Sequence, residues 1–412
     1  MLLVIACMLS AAFNGAVGEP YAPTNAFREP VAHALYDFGM DMYNQLEPSW
    51  RPTENIVISP MSMYAILSIL LPGLNGASHD QVYNALRMTN LPRNGVDAES
   101  AMCSKIFQIN PNYDLTRANR IFGDRTLTFK KSYKNETSWH HKAAHKKVDF
   151  QHNPNGARHK MNRYVSKMTD GEIQQLIPRE AVTTDTRIFL VNAIAFKAAW
   201  KSSFIKDATT LTNFHVSPTK VKQAATMYTS SAVCFHQSHD AQLESDLIVL
   251  PFKGAKTTMV FIVPIVAGNF GPLKGAVGAS KISQALDRYW TGYRNMPIPM
   301  RVCEVRMPKF KITHSVDDLM GAMRAMNVTD IFSTEADFSP MTPELVYVTD
   351  MRHKAVIKVN EQGVKATAAT SIGLTGRSLP IRVEINRPFM YMIRHEPTGA
   401  LLFLGRVVDP TK

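Results

Sequence analysis

A chain of 412 residues with 45% apolar and 19% charged residues has the composition of a globular protein, which excludes a disordered or fibrous chain. Its formal net charge of +12 predicts a polyanionic partner, such as a sulfated glycan, a nucleic acid or an anionic membrane surface. No linker divides the sequence, so we expect one domain.

The N-terminal stretch from Met1 to Phe13 is apolar, and small residues follow at Ala16 and Gly18. This pattern predicts a secretory signal peptide over residues 1–18 and a secreted, extracellular mature domain over residues 19–412. An apolar N-terminal strand or helix is the alternative interpretation. No other stretch is long enough to span a bilayer.

Two sequons and three cysteines are compatible with a secreted chain. Asn135 and Asn327 are candidate N-glycosylation sites. Cys103, Cys234 and Cys303 remain after removal of the predicted signal peptide. Because three is an odd number, at least one thiol is free or pairs between chains, and the sequence leaves the pairing open.

Two helices are predicted near the start of the mature chain. Apolar residues recur at helical spacing from Phe27 to Leu46, which predicts an amphipathic helix. Asn55 to Ser62 predicts a short strand that leads into a second helix, with Ser59 at the N-cap and Pro60 in the first turn. The second helix is apolar on all sides as far as Leu70, so we expect it to be buried.

The segment from Arg117 to Lys167 is strongly basic, with thirteen Lys or Arg residues against three Asp or Glu residues. It is a candidate site for a heparin-like glycosaminoglycan, or a solvated face without a specific ligand, because clustering in sequence need not mean clustering in space. Within this segment His141 and His145 have the i, i+4 spacing of one helix face, next to His140. No carboxylate or cysteine is placed to complete a metal site, so we expect none.

Strands concentrate in the second half of the chain. Arg187 to Phe196 is a nearly continuous apolar run, which predicts a central strand buried on both faces. Leu247 to Lys253 and Thr258 to Pro264 predict two more strands, and Val316 to Met326 predicts a helix. Since helices come first and strands later, the pattern favours an α+β fold over repeating βαβ units.

The stretch from Glu361 to Pro380 combines features of a strand and of a loop. Mostly apolar residues occupy its even positions from Val364 to Leu374, with the two-residue period of a strand that has one buried face. Glycines interrupt the pattern, and Arg377 follows Gly376 in a segment typical of a flexible, cleavable loop. The stretch is therefore a loop that could join a sheet.

Enzyme motifs are not found in the sequence. There is no G-x-S-x-G nucleophile elbow, no H-E-x-x-H zinc helix, no phosphate-binding loop and no dinucleotide fingerprint. His395 and Glu396 lack the second histidine of a zinc helix. We therefore do not expect an enzyme.

Several segments resemble the serpin family. The motif N-I-V-x-S-P-x-S occurs at residues 55–62 and V-N-A-x-x-F-K-x-x-W at residues 191–200. Residues 386–394 and 402–410 are similar to the family signature around its last strands. The resemblance implies an α+β serpin fold with about nine helices around three β-sheets, and an exposed reactive-centre loop at about residues 361–380.

By this resemblance, the reactive bond joins Arg377 to Ser378, sixteen residues after Glu361. Serpin loop insertion is an established example of strand addition to a sheet, and the small residues of this loop suit it. The loop begins with a hinge formed by Glu361, Gly363, Val364, Ala366 and Ala368.

The resemblance also implies two clusters that control the insertion. A polar shutter cluster beneath the sheet, which lets its strands part, would comprise Ser59, Ser62, Asn192 and His353; ordinary buried hydrogen-bonding residues are the alternative. A breach cluster at the point of entry would comprise Trp200, Lys309 and Glu361, with a salt bridge between the last two.

We therefore expect a secreted, monomeric suicide-substrate inhibitor that traps a trypsin-like, arginine-specific serine protease covalently, in an extracellular cascade such as clotting, or immune or melanisation control. The alternative is a non-inhibitory serpin that acts as a carrier or polyanion-binding protein. No cofactor is required, and a heparin-like glycosaminoglycan is the candidate effector; no nucleic acid partner and no membrane span are expected. The sequence leaves open the target protease, the tissue and the resting state of the loop.

Overall fold

The computed structural model describes residues 30–90, 113–141, 145–295, 301–361 and 380–412. These ranges contain seven α-helices, two fewer than the approximate count expected for the whole chain. They are α1 (Pro30–Leu46), α2 (Pro60–Leu70), α3 (Gly76–Ala85), α4 (Lys131–His141), α5 (Pro154–Met168), α6 (Gly275–Asn295) and α7 (Leu319–Ala325).

Five strands form the first sheet, in the order β10-β11-β4-β2-β3. Their bounds are β2 (Tyr113–Asp124), β3 (His145–Val148), β4 (Ile188–Ala198), β10 (Phe310–Val316) and β11 (Val348–Val359). The neighbours β4 and β11 run parallel, with His353 opposite Asn192 and Ile357 opposite Phe196. All but one residue of β4 is buried, as expected for a central strand.

The other nine strands include the long strand β6, which belongs to two groups of paired strands and joins them. Its N-terminal part pairs with β5 and β9, and its C-terminal part pairs with β7, so the molecule has three groups of paired strands. The bounds are β1 (Ile56–Ile58), β5 (Thr210–Ser217), β6 (Lys220–Asp240), β7 (Ser245–Pro251), β8 (Thr257–Pro264), β9 (Arg301–Pro308), β12 (Ile381–Glu384), β13 (Phe389–His395) and β14 (Ala400–Val407).

Two clusters of buried apolar residues hold these layers together. The larger one contains α2, which is buried along its whole length against the sheets, as its sequence predicts. Ser59 caps this helix, because its Oγ accepts a hydrogen bond of 3.2 Å from the backbone N–H of Ser62. The smaller cluster lies on the opposite face of the five-stranded sheet, where α5 packs on β2 and β4.

Two local predictions from helical spacing are wrong. His145 lies on β3 instead of on the helix that carries His141, and its ring is 3.0 Å from Thr137 Oγ1. The predicted helix from Val316 begins only at Leu319, because Val316 still pairs with His353 in the sheet and Asp318 caps the helix. No group of three or more potential metal ligands occurs in the described ranges.

The cysteine pairing that the sequence left open is resolved in part. Cys234 of β6 and Cys303 of β9 form a disulfide, with their Cα atoms 6.0 Å apart. Both cysteines are completely buried. Cys103 lies outside the described residues.

Candidate functional site

The parallel junction between β4 and β11 is the central feature of the candidate site. Residues predicted for the shutter and the breach lie along it, the former near its middle and the latter at its end. Parallel ladders are slightly less stable per residue than antiparallel ones, so this junction is a place where the sheet can separate at a moderate cost.

The four shutter residues lie in one hydrogen-bonded network beneath the junction. The ring Nδ1 of His353 on β11 donates a hydrogen bond to the side-chain oxygen of Asn192 on β4. Asn192 Nδ2 in turn lies 2.6 Å from the carbonyl oxygen and 2.7 Å from the Oγ of Ser62. The backbone N–H of Ser59 donates to His353 Nε2 over 3.2 Å. The start of α2 is therefore bonded to both strands of the junction.

His353 is held in one neutral state by these contacts. It is completely buried, with a donor on one ring nitrogen and an acceptor on the other. Burial, with a smaller contribution from nearby His314, lowers the pKa of His353 to about 3. The network therefore keeps its hydrogen bonds only while this ring is uncharged.

Glu361 is anchored just beyond the end of β11. Its Oε1 atom lies 3.1 Å from Lys309 Nζ and accepts a hydrogen bond of 2.9 Å from Thr209 Oγ1. Its carbonyl oxygen accepts from the backbone N–H of Phe204 over 3.2 Å. Burial acts to raise the pKa of Glu361, but hydrogen bonds from its own backbone N–H, Thr209 and Lys309 outweigh burial and hold that pKa below its usual value.

Trp200 fixes the residue before Glu361. Its indole Nε1 donates a hydrogen bond of 3.0 Å to the carbonyl oxygen of Asn360. The indole ring stacks on Phe252 with centroids 4.6 Å apart and makes an edge contact with Phe204. Asn360 and Glu361, which directly follow β11, are therefore held at the end of the junction by the Trp200 side chain and the Phe204 backbone.

The remaining predicted loop residues fall outside the described ranges. These are Gly363, Val364, Ala366, Ala368, Arg377 and Ser378. The chain is described again from Pro380, and β12 then pairs in parallel with β9. The loop thus connects the five-stranded sheet to a different group of strands.

Two polar residues of these clusters were missed by the sequence interpretation. Asn119 on β2 lies opposite Asn192 and accepts hydrogen bonds from its Nδ2 and from Ser62 Oγ, at 2.8 and 3.2 Å. Thr209 bonds the Glu361 carboxylate. Neither stands in a recognisable motif, and Asn119 lies between the charged residues Arg117 and Arg120 of its strand.

The basic segment is not one continuous surface. Arg158 is only 8% exposed, and the guanidinium of Arg120 stacks 3.7 Å above the ring of Tyr164. Lys146 and Lys147 of β3 and the lysines at the start of α4 are exposed. Fewer basic residues are therefore exposed for glycan binding than the thirteen Lys and Arg residues counted in the sequence.

The two candidate glycosylation sites are accessible. Asn135 is exposed on α4, and Asn327 is exposed in the turn after α7. Among the described residues, no helix combines the length and the apolar character required to cross a membrane.

Comparison with known proteins agrees with this geometry. The sequence profile of the family described as Serpin (serine protease inhibitor) matches residues 33–410. Over 392 residues the chain is 31% identical to the leukocyte elastase inhibitor of Bos taurus, covering 93% of this chain and all of the relative. It is 29% identical over 385 residues to antithrombin-III of Mus musculus, covering 90% of this chain and 80% of the relative.

A solved structure shows the same fold. Uncleaved ovalbumin superposes with a TM-score of 0.79 at 23% sequence identity, over 92% of this chain and 100% of the ovalbumin chain. The chain belongs to the serpin family, and the relatives it matches are protease inhibitors, not enzymes. Its fold is the serpin fold of mixed α+β type.

Proposed function

We propose that this serpin is a secreted, monomeric inhibitor of a trypsin-like, arginine-specific serine protease in an extracellular cascade such as clotting, or immune or melanisation control. One observation carries the proposal. Glu361, the first residue of the expected reactive-centre loop, is anchored beside the open end of the parallel β4–β11 junction. A loop that starts there lies at the end of the junction that it would enter once β4 and β11 part.

The reaction begins when the protease serine attacks the carbonyl carbon of Arg377, in the peptide bond to Ser378. The Arg377 side chain suits the acidic specificity pocket of a trypsin-like protease. The bond breaks, Ser378 leaves as the free amine, and the carbonyl of Arg377 remains as an ester on the protease. Hydrolysis of that ester then competes with loop insertion, and the faster process decides between inhibitor and substrate.

The strand topology supplies a driving force for insertion. Because β4 and β11 are parallel, a strand that folds back from the end of β11 runs antiparallel to both of them. One parallel ladder is then replaced by two antiparallel ladders, and more main-chain hydrogen bonds are made. The hinge residues Val364, Ala366 and Ala368 place no charge on the inward face, so no buried charge opposes the insertion.

The two clusters have complementary roles in this mechanism. The shutter cluster supplies the hydrogen bonds that must break when β4 and β11 part. The breach cluster, with the Lys309–Glu361 ion pair, keeps the start of the loop in place until the reactive bond is cut. Both roles are proposed from the contacts of these residues and from the resemblance of their positions to those of the serpin family.

Secretion and glycan binding belong to the same proposal. Residues 1–18 would direct the chain to the secretory pathway, where Asn135 and Asn327 would be glycosylated. A heparin-like glycosaminoglycan would bind the exposed lysines of α4 and β3 without being required for activity. Binding through such contacts weakens steeply as salt increases, which a heparin column run at two salt concentrations would measure.

The test is to mix the purified protein with trypsin or thrombin at equal molar amounts and to run the mixture on a denaturing gel. A boiling-resistant band at the summed mass supports covalent trapping. The matched control is Arg377→Ala, which should give no such band with these two proteases. If only a chain cut after Arg377 appears and the protease stays active, the inhibitory proposal fails for these proteases, and the non-inhibitory alternative takes its place.

A further inference from the structure

A cavity of about 540 Å³ opens on the face of the five-stranded sheet that carries α5. It is lined by Arg158 of α5, by residues 175–179 of the segment after α5, by residues 315–317 at the end of β10, and by Arg352 and His353 of β11. It contains no residue of the breach cluster and shares one residue, His353, with the shutter cluster.

Arg158 is the most unusual group in this cavity. The residue lines the cavity although it is only 8% exposed. Its polar contacts include no carboxylate: Nε and Nη2 donate to Asn155 Oδ1 at 3.2 and 3.1 Å, Nη1 donates to the Ile177 carbonyl at 3.5 Å, and Nη2 lies 3.2 Å from His159 Nε2. It forms no ion pair with any carboxylate of the described residues. A buried charge without a counterion is costly, so the site favours an anion from outside the chain.

Two more arginines add positive charge to the same cavity. Arg352 donates through Nε and Nη2 to Asp350 Oδ2, at 2.9 and 2.8 Å, and is only about a quarter exposed. Arg179 is exposed at the rim and forms no ion pair with the described residues. The only acidic group in the lining is Asp317, which is also exposed. Within the lining there are therefore three arginines and one carboxylate, and one of these arginines, Arg352, is already paired with Asp350.

The chemistry of these groups points to an oxyanion. Guanidinium groups are planar and donate paired hydrogen bonds that match the oxygens of phosphate and sulfate. Ser315, which carries a hydroxyl donor, lines the cavity together with Arg158. We propose that this cavity binds a tetrahedral oxyanion, phosphate or sulfate, either free or carried as an ester on a small molecule or glycan.

Such an anion would connect two parts of the sheet that the proposed mechanism separates. α5 packs on β2 and β4 through Ala157, Met161 and Val165, so Arg158 belongs to that side. Arg352 is on β11, across the junction. A bound anion therefore bridges the β4 side to the β11 side and slows loop insertion; this consequence alone rests on the proposed inhibitory function.

The binding test uses inorganic phosphate at constant ionic strength, with calorimetry and thermal unfolding of the full-length protein. We expect saturable binding and a rise in melting temperature with phosphate concentration, because a ligand that binds only the folded state stabilises it. Arg158→Gln and the exposed Arg179→Gln should each weaken the binding about tenfold. The matched control is Arg163→Gln, an exposed arginine of the same helix outside the cavity, which should bind phosphate as the wild type does.

The results separate the site from its consequence. Absence of saturable phosphate binding, or equal affinity in wild type and Arg179→Gln, overturns the proposal even if Arg158→Gln fails to fold. Repeating the titration with a sulfated disaccharide distinguishes the sources: binding that Arg179→Gln weakens assigns the site to sulfate esters as well, and no binding restricts it to free ions. Phosphate binding without any effect on the yield of protease complex removes the bridging role and leaves the site intact.

Discussion

Glu172 Oε1 accepts a hydrogen bond of 2.8 Å from Lys197 Nζ at the end of β4. Its second carboxylate oxygen lies 3.2 Å from Lys311 Nζ on β10. Because β11 lies between β4 and β10, one carboxylate from the segment after α5 spans the strand beside which the loop would insert. The hydrogen bond from Lys197, followed by the contact with Lys311, lowers the pKa of Glu172, so the group is ionised at neutral pH.

We expect Glu172→Gln to release this connection. The ion pairs are partly exposed, so the free energy of unfolding should fall by only about 1 kcal/mol, while insertion after cleavage should become faster. Stopped-flow measurement of how fast this protein inhibits a serine protease gives the insertion rate, and urea unfolding gives the free energy of unfolding. Glu335→Gln, at an exposed site whose side chain forms no ion pair with the described residues, is the control. An unchanged insertion rate would show that the connection does not limit the movement.

Glu361→Gln should loosen the start of the loop. The variant loses the ion pair with Lys309 but keeps an acceptor for Thr209, so we expect the free energy of unfolding to fall by about 1 kcal/mol. Limited proteolysis should cut the loop faster. Lys309→Met should have the same effect, and the double variant should add little, because both changes remove one interaction. Fully additive effects would contradict a shared ion pair.

Trp200→Phe tests the indole hydrogen bond separately from the stacking. Phenylalanine can still pack on Phe252 but cannot donate to the Asn360 carbonyl, so we expect a loss of about 1 kcal/mol in urea unfolding. Trp200→Ala should cost about 3 kcal/mol or more, since the packing is lost too. If Trp200→Phe is as stable as the wild type, the hydrogen bond does not hold the end of β11.

His353 makes the stability dependent on pH. Its pKa is about 3 when folded and about 6.5 when unfolded, so below pH 6.5 the unfolded chain takes up a proton that the folded chain refuses. This group therefore lowers the free energy of unfolding by up to about 1.4 kcal/mol per pH unit as the pH falls from about 6.5 towards 3.

Urea unfolding at pH 7.5, 6.5 and 5.5 would measure that slope. His353→Gln should show a smaller loss of stability between about pH 6.5 and 5.5, because one such proton is no longer taken up on unfolding. His239→Gln, which removes an exposed histidine, is the control variant. Equal slopes in all three proteins would mean that His353 does not titrate on unfolding.

The main elements of the fold follow from simple patterns in the sequence. The apolar run before Phe196 forms the buried strand β4, and the Ser59-Pro60 pair begins the buried helix α2. These patterns are local, so the residues themselves contain the information. Family motifs added the positions that periodicity cannot relate, such as Lys309 and Glu361, which lie 52 residues apart.

Predictions from residue spacing are wrong where one secondary-structure element ends and another begins, or where segments distant in sequence come into contact. The i, i+4 spacing of His141 and His145 loses its meaning because a helix ends and a strand begins between them. The basic segment gave no sign that Arg158 is buried, since that depends on packing against Ile177 and its neighbours. The sequence likewise gives no sign of the ion pairs of Glu172, because its partners Lys197 and Lys311 lie on two separate strands.

The disulfide lies on one side of the predicted cleavage point. Cys234 and Cys303 both precede Arg377, and residues 378–412 contain no cysteine. The C-terminal piece nevertheless includes β13 and β14, which are buried throughout. A chain cut after Arg377 should therefore elute as one particle from a sizing column, yet separate into a long and a short fragment on a denaturing gel even when no reductant is added.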